Sequence, residues 1–417
     1  METLQGSSTS RTGSADRAAT ARSTGLPEHG RDTAAVLADL DELRRDDHNY
    51  ADGTVFNSIC SVPLPVTRQV FAQALETNMG DNRIFPSLRR AETEVTALLG
   101  DILGLPEAGG VATSGGTEAN LLAVLAALRR DGQRPRTGRP ARIVLPQSAH
   151  FSFDKILTML GAEPVYAPLT PDLHVCVETL RSLVTEDTTL VVATAGTSET
   201  GAVDDIPAIA EHTSALGVPL HVDAATGGFL VPFARDLGHP LPSIGLDVPG
   251  VTSVTLDPHK YGGAPIPAGQ LLVRDAADLD RLRVASHYRG THDHHGLLGT
   301  RPGAAVLATW AALHTMGRAG YRSLVASVFE RRELLLDLLR EAGFAVVPAP
   351  DLTVVTVRHP EPGQLVDALE RRGFIASVAR RYGLLRLVVH WHQSEEQLRA
   401  LVAALTAVDR EIGGGAG

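Results

Sequence analysis

Cysteine is nearly absent from this 417-residue chain: Cys60 and Cys176 are the only two. They lie far apart and at no metal-ligand spacing, which argues against a disulfide framework and suits a reducing compartment. Basic charge is also in deficit. The formal net charge is -10, which argues against a general nucleic-acid binder with a basic face. Lysine is scarce, and arginine dominates the basic residues. No apolar run approaches the ~20 residues that a membrane helix needs. The N-terminus lacks the apolar core of a secretory signal. The expectation is a cytoplasmic protein with neither a membrane nor a nucleic-acid partner.

What is present is a hydrophobic fraction of 43%, enough for a large core, over a length that allows two or three domains. Residues 1–33 are rich in Ser, Thr, Gly, Arg and Ala, and read as a disordered tail. A helix is expected from Thr33 and another over 89–103. Beyond that, short β-branched runs at 110–113, 142–145, 188–194, 219–222, 252–256 and 269–274 alternate with helical patterns at 117–130, 151–161 and 206–216. Strands separated by helices imply crossover units and a mostly parallel sheet, and fully apolar strands suit a sheet covered on both faces. The C-terminal part changes character. Helices are expected at 303–317, 320–342, 363–372 and 394–409, with strands at 344–347, 353–358 and 384–390. The expected organisation is a tail at 1–33, a helical segment at 34–77, a large domain at 78–290 and a smaller α+β domain at 291–417.

Four motifs carry chemistry, and each has a bland reading beside the functional one. In Val111-Ala-Thr-Ser-Gly-Gly-Thr-Glu-Ala-Asn120 a strand runs through small residues into an apolar helix. Free N–H groups and the Thr117 hydroxyl would cradle a phosphate; alternatively Thr117 simply caps the helix. No Lys follows the glycines, so this is not a P-loop. In Pro219-Leu-His-Val-Asp-Ala-Ala-Thr-Gly-Gly228, Asp223 closes a strand, where open α/β sheets bind ligands; it could hold a pyridinium nitrogen protonated or merely cap. In Ser253-Val-Thr-Leu-Asp-Pro-His-Lys-Tyr-Gly262, Lys260 follows a strand and precedes two glycines. Desolvation there would remove its proton and make it a nucleophile toward carbonyls; otherwise it is a surface charge. His150, in Ser148-Ala-His-Phe-Ser-Phe-Asp-Lys155, either stacks on a planar cofactor or is an ordinary satisfied polar residue. All four fall at expected C-terminal strand ends, and together they are the parts of a pyridoxal phosphate site.

That constellation resembles the group II pyridoxal-phosphate-dependent amino acid decarboxylases, which include glutamate, histidine, aromatic amino acid and archaeal tyrosine/aspartate decarboxylases. The likeness runs from about Asn78 to the C-terminal helix. It rests on Gly80-Asp81, Thr113–Asn120, His150 with Ser152 and Lys155, Gly196–Asp204, His221–Ala225, Asp257-Pro-His-Lys260 and Gly299–Ala304. It implies an α/β chain of the PLP-dependent transferase fold (aspartate aminotransferase-like, fold type I), a homodimer, and decarboxylation of an L-amino acid to an amine and CO2. By resemblance, Lys260 is the Schiff-base lysine, Asp223 the partner of the pyridinium nitrogen and His150 the ring-stacking histidine. Gly116, Thr117, Ser253 and His259 contact the phosphate, Thr197 lies near the ring, and Arg386 engages a substrate carboxylate. Tyr288 and His292, in the His-rich stretch 286–295, are candidates to reprotonate Cα; that stretch is expected to hold no metal. An aminotransferase or carbon–carbon lyase of the same fold, and an inert regulator or scaffold, are the competing readings. The substrate itself is not legible.

Overall fold

The computed structural model describes residues 25–81, 83–130, 140–287 and 293–414. Residues 1–24 of the expected tail therefore lie outside the described residues, as do Tyr288 and His292. The chain divides into two units that meet between His48 and Asn49. The first contains α1 (Thr33–Leu43), started by Asp32, whose carboxylate accepts the Ala34 N–H. The division cuts through the segment expected as 34–77, because α2 (Pro65–Gln73) belongs to the second unit.

In that second unit α3 (Pro86–Ile102) leads to a seven-stranded sheet. Its parts in chain order are β1 (Gly109–Thr113), α4 (Gly116–Leu128), β2 (Arg142–Pro146), α5 (Ser152–Leu160), β3 (Glu163–Ala167), α6 (Val177–Leu183) and β4 (Thr188–Thr194). They continue with α7 (Ile206–Ala215), β5 (Leu220–Asp223), α8 (Val231–Asp236), β6 (Val251–Leu256) and β7 (Gly269–Val273). The spatial order is β1-β7-β6-β5-β4-β2-β3. The pairs from β3 to β6 are parallel, whereas β7 is antiparallel to both β6 and β1. Two antiparallel steps restore direction, so β1, β2, β4, β5 and β6 all present their C-terminal ends at one edge.

The strands are apolar on both sides because both sides are covered. Ile143, Leu145, Leu190 and Val192 face a cluster built with α4 and Phe153 of α5. The intervening Val144, Val191 and Ala193 face the larger cluster, which takes in α3 and the C-terminal elements. The one strand of this sheet absent from the sequence expectation is β3. It is an edge strand containing Pro164 and is largely solvent-facing, so it lacks the apolar run that marked its neighbours.

After α9 (Ala276–Asp280) and the short pair β8 (Val284–Ala285) and β9 (Asp293–His294), α10 spans Ala304–Glu341. It is two helical stretches joined at Gly317, whose φ of +55 and ψ of -178 are not helical; the two helices expected from the sequence meet there. A four-stranded antiparallel sheet follows, with order β10-β11-β13-β12. It contains β10 (Ala345–Val346), β11 (Val354–Arg358), β12 (Ser377–Ala379) and β13 (Leu384–Val388), with α11 (Pro362–Glu370) and α12 (Glu395–Gly414) alongside.

One further segment positions the site. Residues 54–64 run along the small sheet and then cross to the large one. Phe56 N–H donates to Ile375 O, and Val388 N–H donates to Phe56 O. Farther along, Ser61 Oγ donates to Lys260 O at 3.0 Å, and Leu64 N–H donates to Gly263 O at 2.9 Å.

Candidate active site

A cavity of about 340 Å³ opens at the edge where the parallel strands end. Gly116, Thr117, His150, Asp223, His259 and Lys260 all line it. Six residues from four sequence-separated motifs thus converge.

The β1–α4 turn forms one wall. Gly115 has φ +146, a conformation L side chains rarely adopt, and a Cβ there would lie 3.1 Å from the His259 ring. A Cβ on Gly116 would lie 3.1 Å from both Ala225 Cβ and Asp257 Oδ2. Only glycine lets the helix N-terminus come this close to the floor. The turn is braced by Glu118, whose Oε2 accepts Ser114 N–H at 2.7 Å and whose Oε1 accepts Leu297 N–H at 3.0 Å.

The floor is Asp223, at the end of β5 and 5% exposed. Its Oδ1 accepts Ala225 N–H at 3.1 Å and its Oδ2 accepts Asn120 Nδ2 at 2.9 Å. A carboxylate only accepts, so Asn120 must aim its amide nitrogen at Asp223 and its oxygen at His221 Nε2, 3.1 Å away. His221 then carries its proton on Nε2 and accepts from Ser253 Oγ at Nδ1, 2.8 Å away. His221 is fully buried, and that desolvation pushes it down to about 4, so the ring is neutral. Asn120 and His221 were quoted in motifs without being given a role; their signal was a pair of polar side chains inside otherwise apolar elements.

Lys260 is one of only two lysines in the chain. Its Nζ lies 3.1 Å from Asp257 Oδ2. Burial on its own would push the ammonium down, but Asp257 and Asp223 outweigh that, and its proton is held more tightly than in a free lysine. This corrects the expectation of a lysine deprotonated by burial: two acids, not one, face it. Asp257 is 2% exposed, and its Oδ1 has no hydrogen-bond partner. His259 Nδ1 lies 2.5 Å from Ala268 O, and burial pushes its ring toward the neutral form. His150 accepts Ser152 N–H at Nδ1, and burial lowers its proton affinity as well.

Three expected site residues do not line the cavity. Ser253 sits within β6, opposite His221, and its hydroxyl is engaged with that ring; it lies on the side away from the cavity, beneath α4. The sequence places it too early in the strand to reach the edge. Thr197 is buried with its hydroxyl turned into its own loop, 2.8 Å from Thr200 Oγ1 and accepting Ala202 N–H. Its neighbours Thr194, Gly196 and Ser198 line the cavity instead. Arg386, on β13, is not a lining residue. It lies behind Ser198, donating from Nε to Ser198 O and from Nη1 to Asn57 O, both at 2.6 Å. Nη1 also donates to Ser377 Oγ at 3.1 Å, which leaves Nη2 as the nitrogen without a partner among the described residues, and burial lowers the guanidinium to about 10. Cys60, delivered by the 54–64 segment, also lines the cavity, as do Thr226 and Ile266. Among the described residues no group of three or more His, Cys, Asp or Glu is placed to hold a metal ion.

Residues 54–359 match the family model described as the pyridoxal-dependent decarboxylase conserved domain. The chain belongs to that family. The match starts upstream of Asn78, where the crossing segment begins. A probable L-tyrosine/L-aspartate decarboxylase of Methanothermobacter thermautotrophicus is 39% identical over 362 residues, covering 86% of this chain and 98% of the relative. The L-aspartate decarboxylase of Thermococcus kodakarensis is 36% identical, covering 93% and 100%. Among solved structures, a sphingosine-1-phosphate lyase of Burkholderia pseudomallei superposes with a TM-score of 0.84 at 26% identity, covering 94% of each chain. The fold is therefore that of the PLP-dependent transferases, and this decarboxylase uses pyridoxal phosphate to release CO2 from an amino acid.

Proposed function

We propose that this decarboxylase acts on L-aspartate, with Lys260 as the residue that carries the cofactor. The observation supporting the site is the convergence of Gly116, Thr117, His150, Asp223 and Lys260 on one cavity. The substrate rests on relatives of nearly full length whose names include L-aspartate, and on small side chains (Cys60, Ser198, Thr226) along the cavity wall.

The residues fit pyridoxal phosphate. The Gly115–Gly116 turn leaves space that a Cβ would fill, and the α4 N-terminus offers N–H groups with the Thr117 hydroxyl for the phosphate. Asp223, anchored by two donors, would keep the proton on a ring nitrogen. The neutral His150 would cover a ring face without adding charge. When bound, pyridoxal phosphate supplies the electron sink for the pair left by the departing carboxylate. Lys260 would attach the cofactor through Nζ and release the amine product. Arg386, with Nη2 free and its other nitrogens pinned, would orient a substrate carboxylate and so select which Cα bond breaks. Tyr288 or His292 would return the proton to Cα.

We further assign residues 78–290 to cofactor binding and 291–417 to the smaller domain. We also infer a cytoplasmic location, supported by two free cysteines, and a homodimer, as the family resemblance implies. The test is incubation of purified protein and added cofactor with single amino acids, with amines read by mass spectrometry. β-Alanine from L-aspartate is expected. Tyramine from L-tyrosine with no β-alanine would overturn the substrate assignment, and a keto acid without CO2 would overturn the mechanism.

A further inference from the structure

Gly196 and Ser198 line the cavity, yet the loop that carries them is held from outside it. Residues 195–203 fold back on themselves: Gly196 N–H and Thr197 N–H both donate to Ala202 O, and Ala195 pairs with Val203. Val203 N–H donates elsewhere, to Asp351 Oδ2 at 2.8 Å. Leu352 packs so closely on the same loop that a Cβ on Gly196 would lie 2.9 Å from its Cδ1. Asp351 Oδ2 also meets His174 Nε2, at 2.7 Å. His174 comes from the turn between β3 and α6, just after Leu173, whose φ is +62. Among the described residues no other non-glycine residue has a positive φ, so the turn that presents this imidazole is strained. Nearby, the wholly buried Asp204 accepts Thr194 N–H at 2.8 Å and Val175 N–H at 3.3 Å.

We propose that His174, which does not line the cavity, is a positioning residue for substrate: paired with Asp351, it holds Val203 and thereby the Ser198 wall to which Arg386 is tied. The proposal rests on the reading above in which Arg386 meets the substrate carboxylate. Arg386 Nε donates to Ser198 O at 2.6 Å, so the arginine's aim follows the loop. The surrounding charges decide how the pair behaves. Asp351, Asp204 and Asp172 face His174, whereas Arg332 of α10 reaches only the backbone carbonyl of Asp351 and sets its own charge against Glu333 at 2.6 Å. The hydrogen bond to Asp351 raises the proton affinity of His174 against the opposing effect of burial. Burial pushes Asp204 up to about 6, so Asp204 ionises before His174 gives up its proton. Once His174 is neutral, the neighbouring acids repel each other without a cation in contact. Asp351, whose side chain is 25% exposed, is the one that can turn to water, and the N–H of the buried Val203 then loses its acceptor. The loop therefore keeps its binding posture while His174 is charged and loosens as pH rises through the His174 value.

The test is steady-state amine production by the holoenzyme from about pH 5 to 9, a range that brackets histidine, with saturating cofactor and whichever amino acid yields an amine. Wild-type KM should rise about fivefold through one ionisation above about pH 6.5, the upper end of what a part-exposed ion pair contributes, with kcat little changed. His174→Gln keeps a donor for Asp351 without the charge; its KM should equal the high-pH wild-type value throughout. Asp351→Asn keeps an acceptor for Val203 and removes the repulsion; its KM should stay flat near the low-pH wild-type value. Substrate ionisation enters all three proteins alike, and a packing defect alone would raise KM but leave the step in place. Should His174→Gln not fold, Asp351→Asn decides. A wild type without the step, a step that persists in either variant, or a change confined to kcat overturns the inference. Arg386→Met separates it from the reading beneath it. An unchanged KM in that variant overturns the carboxylate reading and this inference together, whereas a raised KM there, with the wild-type step retained in His174→Gln or Asp351→Asn, overturns this inference alone.

Discussion

Asparagine 120 offers the sharpest test of the site's internal wiring. Its side chain is 1% exposed, donates to Asp223 Oδ2 and accepts from His221 Nε2. Asn120→Ala removes one hydrogen bond to a charged acceptor, about 1.5–3 kcal/mol, and one neutral bond, about 1 kcal/mol. His221 keeps a weaker contact with Thr255 Oγ1 at 3.3 Å, which softens the second loss. The expected cost is about 3 kcal/mol of stability, measured by denaturant unfolding of the cofactor-free chain. A packing defect alone would give a similar sum, so the deciding variant is Asn120→Asp. It is nearly isosteric but sets a second carboxyl against Asp223, and two acids at such range hold one proton between them. The shared site then has a folded-state affinity raised above the unfolded value. The folded state binds more protons, so stability falls as pH rises above about 4 and levels off past the raised folded value. Asn120→Asp should therefore approach wild type near pH 4 and lag most at neutral pH. Equal stability of all three proteins within about 0.5 kcal/mol, or a pH-independent deficit for Asn120→Asp, would refute the reasoning.

Lys260→Ala should abolish the cofactor's bound-state absorbance and amine production while leaving the far-ultraviolet circular dichroism unchanged. Gly116→Ala forces a Cβ to 3.1 Å from two neighbours and should weaken cofactor binding at least tenfold in equilibrium dialysis. For His221, folded-state protonation is pushed down to about 4 by burial, so its contribution to stability is present above about 6.5 and lost as pH falls toward 4. His221→Gln should flatten the acid limb of the stability profile over that window. Arg386→Met should raise KM more than it lowers cofactor affinity, in steady-state assays paired with cofactor titration.

Much of the large sheet was legible because burial on both faces turns strands into apolar runs. Thr188–Thr194 and Val251–Leu256 announce themselves, and the strand-end residues Asp223 and Lys260 follow from them. Glu163–Ala167 does not, since an edge strand has no need of that pattern. Two expected site residues stay off the cavity wall for a different reason. Thr197 and Ser253 lie close in sequence to lining positions, but strand alternation and a local turn send their side chains away. Asp257 stood in a quoted motif, yet its packing against Gly116 joins residues far apart in the chain. Nothing in the composition of 54–64 hints that it crosses from one sheet to the other.

That crossing has a mechanical corollary. Asn57 O and Ser58 O receive Arg386 and His390 from the small sheet, while Ser61 grips the carbonyl of Lys260 itself. The arm that would bind the substrate's carboxylate and the residue that would carry the cofactor hang from opposite ends of one short tether. A shift of the C-terminal sheet upon substrate capture would tug directly on the lysine's backbone, so substrate engagement and cofactor posture are built to move together.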